Sequence, residues 1–181
     1  MELHDQIETL IRDVPDFPQP GIVFKDISPL LADHDGLTAV VRALAAAGRE
    51  GGDASGRPVV DKVVGIEARG FILAAPVALH LGTGFVPIRK KGKLPGPTHE
   101  VSYALEYGEA ILEMHQDAID PGDRVLLIDD VLATGGTVNA ARELVEACGG
   151  HVSGVAVLME LSFLPGREAL GDLPLTSLHV V

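Results

Sequence analysis

The sequence predicts an α/β fold: a central, mostly parallel sheet with helices on both faces. Two observations carry this. From residue 62 onward, short apolar runs alternate with helix-length segments, as in parallel strands joined by crossover helices. Twenty-one glycines against two tyrosines and no tryptophan suit a loop-rich α/β chain better than a β-sandwich. A length of 181 residues allows one domain with a sizeable core.

The elements follow in order. Leu3, Ile7, Leu10 and Ile11 recur at helical spacing, and that helix should end before Pro15. Prolines and glycine make 17–21 an irregular loop. An Ala-rich helix is expected over about 35–48, and 51–58 is a small polar loop. Strands are expected at 62–66 and 84–88, with a helix between them over about 70–81. The stretch 90–102 holds Gly, Pro and Thr and reads as a long loop. A strand at 109–114, a turn at 121–123 and a buried strand at 124–128 come next. A helix over 136–148 ends at Gly149-Gly150, and 151–161 is a further strand.

Composition narrows the function. The net charge of −12 disfavours nucleic acid and anionic membrane as partners. No apolar run is long enough to span a bilayer, the N-terminus lacks the pattern of a signal peptide, and the single Cys148 leaves no internal disulfide. These point to a cytoplasmic location. Basic residues are few, so the cluster Arg89-Lys90-Lys91-Gly92-Lys93 stands out. A charge run is usually a solvated face, but this one follows a buried strand. Lys91 is read as its solvent-facing member.

The chemistry concentrates in Val125-Leu126-Leu127-Ile128-Asp129-Asp130-Val131-Leu132-Ala133-Thr134-Gly135-Gly136-Thr137. An apolar strand delivers two carboxylates, then a small-residue loop, then a helix. A helix N-terminus offers unpaired N–H groups and a positive dipole end, which suit a phosphate. Gly135 and Gly136 let the backbone approach it, and Thr134 and Thr137 add hydroxyls. Asp129 and Asp130 can accept hydrogen bonds from two ribose hydroxyls. Adjacent strand residues face opposite ways, so both acids reach one sugar only where the chain has left the strand. A plain strand-to-helix turn is the bland alternative. No Walker A loop, dinucleotide fingerprint, Gly-x-Ser-x-Gly elbow or zinc-ligand spacing competes with it.

This run resembles the phosphoribosyl-pyrophosphate signature of the type I phosphoribosyltransferases. Further segments narrow the resemblance to the adenine phosphoribosyltransferases: 17–30 (FPQPGIVFKDISPL), 65–71 (GIEARGF), 89–96 (RKKGKLPG) and 102–108 (SYALEYG). The resemblance implies the type I fold as a single domain over 1–181, with a small N-terminal hood, 1–34, over the base site and a lid over 90–106. It implies purine salvage: adenine and 5-phospho-α-D-ribose 1-diphosphate (PRPP) give AMP and diphosphate. It further implies magnesium carried mainly by substrate phosphates and water, and a homodimer.

The resemblance also assigns roles. Asp129, Asp130, Ala133, Thr134, Gly135, Gly136 and Thr137 would hold the ribose and its phosphate. Glu67, Ala68 and Arg69 would form the pyrophosphate loop, which carries a non-proline cis peptide in related enzymes, with Arg89, Lys90 and Lys93 as its cations. Backbone groups of Val23 and Lys25 would read the adenine edge, with Phe24 on the ring. Glu106 would take the proton from the base and, with Arg69, carry catalysis, while Tyr107 covers the site. Read without the resemblance, Arg69 is a surface residue at a helix start, Phe24 is core, and Glu106 is an exposed loop acid. Two other functions stay open at this point: transfer to hypoxanthine, guanine, xanthine or orotate, and a PRPP-sensing regulator of DNA or RNA.

Overall fold

The computed structural model describes residues 2–52, 54–55, 57–105 and 107–181. The chain opens with α1 (Leu3–Leu10) and a two-stranded antiparallel hairpin, β1 (Arg12–Pro15) and β2 (Val23–Asp26). Next come the short α2 (Ser28–Ala32) and α3 (His34–Ala46). Asp33 starts α3 by accepting the Gly36 N–H at 2.7 Å, the usual way a side-chain oxygen satisfies an open helix donor.

The main sheet begins at β3 (Lys62–Ile66), followed by α4 (Arg69–Leu81) and β4 (Gly84–Lys90). β5 (Thr98–Ala104) and β6 (Glu109–His115) form an antiparallel pair. The rest is β7 (Arg124–Leu132), α5 (Gly136–Ala147), β8 (His151–Glu160), the single turn α6 (Gly166–Ala169) and β9 (Leu175–Val180). Strand order is β5-β6-β4-β3-β7-β8-β9. The strands from β4 to β9 in that order run parallel, and β6 joins β4 antiparallel.

Two apolar clusters flank this sheet. Leu126 and Ile128 pack with α3 and α4 on one face, and Val125 and Leu127 with α5 on the other. The predicted α/β sheet with helices on both faces is therefore the observed architecture. Among the described residues no helix is long and apolar enough to cross a membrane.

One expectation needs correcting. The stretch read as a long loop from 90 to 102 is mostly paired: β4 runs through Lys90, and Thr98–Ala104 lies along the full length of β6. Glu100, Ser102 and Ala104 face out while Val101 and Tyr103 face in, a two-residue period that the upstream glycines and prolines obscured. Only 91–97 remains a loop. β9 and the β1–β2 hairpin also went unread; both are short, and the hairpin strands carry a proline and four charges.

Candidate active site

In open parallel sheets, ligands bind beyond the carboxyl ends of the strands. Here β3, β4 and β7 end beside one another and deliver Glu67, Arg89-Lys90 and Asp129-Asp130 to that edge.

β7 continues through both acids to Leu132 and stays paired with β8, so the chain does not leave the strand as the sequence required. The side-chain alternation changes phase instead. Val131 packs with the α3–α4 cluster, as Ile128 does, while Leu132 is buried with Leu127 on the α5 face. Both acids accordingly meet the first turn of α4. Asp129 Oδ1 accepts the Asp130 N–H at 2.9 Å, and it lies where a Cβ on Gly70 would come within 2.9 Å. Asp130 Oδ2 is 2.7 Å from Arg69 Nε, with its side chain only 10% exposed. The pair is close enough for charge attraction, yet Oδ2 is aligned with no hydrogen-bond donor. A buried acceptor is normally satisfied, and here the Arg69 guanidinium supplies the compensating charge. Burial, then the neighbouring Asp130 carboxylate, push Asp129 well above the usual carboxylate range.

Gly135 precedes α5 with φ 87°, a left-handed conformation that favours glycine. No side chain caps this helix start, so the first-turn amides stay open to an anion. Tyr103 of β5 lies over Gly136, and its hydroxyl accepts from Thr137 Oγ1 at 3.1 Å.

The basic cluster is organised by carboxylates. Glu67 follows β3, its peptide bond to Ala68 is cis, and its side chain is 7% exposed. Glu67 Oε1 accepts from Lys90 N at 2.8 Å and Arg89 Nε at 3.3 Å, and Oε2 from Lys93 Nζ. Burial opposes its charge, but the hydrogen bonds from Lys93 and Lys90 prevail and hold its pKa below the ordinary glutamate value. Lys91 pairs instead with Glu100, which agrees with its outward reading. Buried Glu113 of β6 accepts the N–H groups of Lys93 and Leu94 at 3.0 and 2.7 Å.

The hood hairpin reaches the site through Phe24. The Arg69 guanidinium lies 5.1 Å from its ring centroid, and Phe17 packs edge-on at 5.2 Å. Lys25 is committed to Asp13 at 2.7 Å. The Ile22 carbonyl accepts from Phe17 across the hairpin. By alternation, the backbone groups of Val23 and Lys25 point to the edge that β1 does not cover. Tyr107 is 87% exposed. Glu106 lies outside the described residues.

The phosphoribosyl transferase domain family matches residues 31–165. An adenine phosphoribosyltransferase from a Nocardioides species is 72% identical over 172 residues, covering 95% of this chain and 91% of the relative. The chain belongs to the adenine phosphoribosyltransferase family. The adenine phosphoribosyltransferase of Thermoanaerobacter pseudethanolicus superimposes with a TM-score of 0.91 at 46% identity, covering 99% and 100% of the two chains. The Saccharomyces cerevisiae enzyme, solved with an imino-altritol bisphosphate and adenine, gives 0.90 at 36% identity over 97% and 98%.

Within this adenine phosphoribosyltransferase chain, sequence reasoning missed three supports of the site. Glu113 reads only as a charge inside an apolar strand, a hint that it is buried and bonded. Tyr103 gave no signal beyond its β-period. α6 gave none: a Cβ on Gly166 would run into the Ala133 carbonyl oxygen, so this turn backs the loop before α5 directly.

Arg167 of α6 binds Glu160 at 2.8 and 2.6 Å, and Ser177 donates to the same carboxylate at 2.6 Å. Glu160 is 6% exposed and Arg167 59%. Arg167→Met should therefore cost about 2 kcal/mol at neutral pH, below the full loss for a buried pair because the arginine is solvated. Arg167 holds Glu160 below its ordinary value of 4.5. That stability is complete above about pH 4.5 and is lost as pH falls through the lower folded value. Urea titrations of both proteins should converge in acid, and an equal deficit at pH 3 and pH 7 would refute the assignment.

Proposed function

We propose that this chain transfers the phosphoribosyl group of PRPP to adenine, releasing AMP and diphosphate, in purine salvage. The observation that carries the reading is the meeting of an acid pair, an uncapped glycine-led helix start and a cationic cluster at one sheet edge.

Adenine N9 attacks the ribose C1′ as the C1′–O bond to diphosphate breaks and its electron pair leaves with the diphosphate. Asp129 and Asp130 hold the ribose hydroxyls. Ala133, Thr134, Gly135, Gly136 and Thr137 hold the 5′-phosphate at the helix start. Ala68, Arg69, Arg89, Lys90 and Lys93 meet the departing diphosphate, whose growing charge they stabilise, and Glu67 organises them. The free backbone edge at Val23 and Lys25 reads the amino edge of adenine, with Phe24 on the ring. Glu106 accepts the N9 proton. The hood, 1–34, and the lid, 90–106, close over the substrates and exclude water, and the exposed Tyr107 covers the site beside Leu105.

Magnesium, when bound, offsets the negative charge of the diphosphate. The carboxylate oxygens of Asp129 and Asp130 suit such a hard cation. Substrate phosphate oxygens and water would carry most of it, as this cation prefers. We place the enzyme in the cytoplasm as a homodimer.

The test is nucleotide formation from PRPP and magnesium with a panel of bases. AMP formation with adenine alone is expected. Turnover of hypoxanthine or guanine instead would overturn the base assignment while leaving the donor site standing.

A further inference from the structure

The diphosphate site contains a carboxylate where an anion is to bind, which calls for a reason. Glu67 is nearly covered, while the Arg89 and Lys93 side chains bonded to it are 35% and 45% exposed. The cations thus have an inner side on Glu67 and an outer side open to a ligand. Lys90 gives Glu67 its backbone N–H, and its side chain is exposed and forms no ion pair among the described residues. Lys93 is fixed twice, by its ammonium on Glu67 and by its N–H on Glu113.

We propose that Glu67 is the counter-charge of the diphosphate site: it keeps Arg89 and Lys93 converged while the site is empty and weakens their hold on diphosphate, so that the product leaves. The inference rests on the diphosphate assignment made above. A cation gathered by a buried carboxylate needs little reorganisation when its ligand arrives. The same carboxylate lies behind the cations and repels the bound anion, an interaction that is strong where solvent is scarce. Three cations without it would form a trap for a multiply charged product, and release often limits turnover. A purely structural brace would predict the opposite sign, since loosening the cations weakens diphosphate binding.

The experiment is product inhibition by inorganic diphosphate, read with the KM for PRPP and for adenine. Glu67→Gln retains an acceptor for the Lys90 N–H and removes the charge. Its inhibition constant for diphosphate should fall about tenfold, the order expected for one nearby charge in a partly buried site. The KM for PRPP should fall with it, kcat should drop, and the KM for adenine should stay put. Unchanged or weaker inhibition in a variant that melts like the parent would overturn the proposal. Should Glu67→Gln not fold, Glu67→Asp serves: it keeps the charge and should bind diphosphate no tighter than the parent, whereas tighter binding would overturn the charge argument. No inhibition of the parent by diphosphate would overturn the site assignment itself.

Discussion

Gly135→Ala should lose at least about a hundredfold in kcat/KM for PRPP while adenine binding stays intact. Two separate costs fall on this position. At φ 87° a side chain is strained, which costs of order 1–2 kcal/mol. The added Cβ would also stand 2.9 Å from Ala169 Cβ and 3.2 Å from the Gly166 carbonyl oxygen. α6 cannot simply retreat, because Arg167 ties it to Glu160 and Asn139 donates to the Ala169 carbonyl at 2.9 Å. The phosphate loop must therefore move, and its amides lose the anion. Isothermal titration with PRPP, beside a thermal melt, separates the two costs. Adding Ala169→Gly removes the tighter of the two contacts and should restore part of the melting temperature but little of the PRPP affinity. Full affinity in the single variant would show that this backbone does not cradle the phosphate.

The contrast between Gly135 and Gly166 shows how far the sequence could be read. Gly135 lies between an apolar strand and an amphipathic helix, so local pattern alone marks it as a helix start open to an anion. The position of Gly166 against Ala133 depends on a contact across 33 residues of chain, and no local spacing encodes that. Asp129 and Asp130 were legible as candidate site acids from their place after Val125–Ile128. How both meet α4 was not, because the strand persists and its alternation slips. Arg89, Lys90 and Lys93 were legible as a cluster in a basic-poor chain. The carboxylates that order them, Glu67 and Glu113, required the register of β3, β4 and β6. The β5 strand was missed for a different reason: Gly92, Pro95, Gly96 and Pro97 are strong loop signals and outweighed the Val101–Tyr103 period beside them.

Asp129→Asn should make the ligand-free protein more stable and the enzyme far slower. In the folded chain Asp129 is set against burial and against the Asp130 charge, and the Asp130 N–H and then Arg69 offset this only in part. A carboxyl whose folded pKa is raised destabilises the native state as pH rises from the unfolded value, near 3.8, through the folded one, and the deficit persists above that. Asparagine has the same shape, can keep the acceptor for the Asp130 N–H, and carries no charge. The stability gain should therefore be absent near pH 3, grow as pH rises and level off. At neutral pH about 1 kcal/mol is expected, or ~3 °C for a chain of this size. Activity should move the other way. A neutral amide is a weaker acceptor for a ribose hydroxyl than a carboxylate and gives less to a developing positive charge at C1′, so kcat should fall about a hundredfold. Opposed changes in Tm and kcat would mark the acid pair as a strained arrangement kept for its chemistry. A fall in both would mean that Asp129 holds the fold through contacts its charge does not oppose.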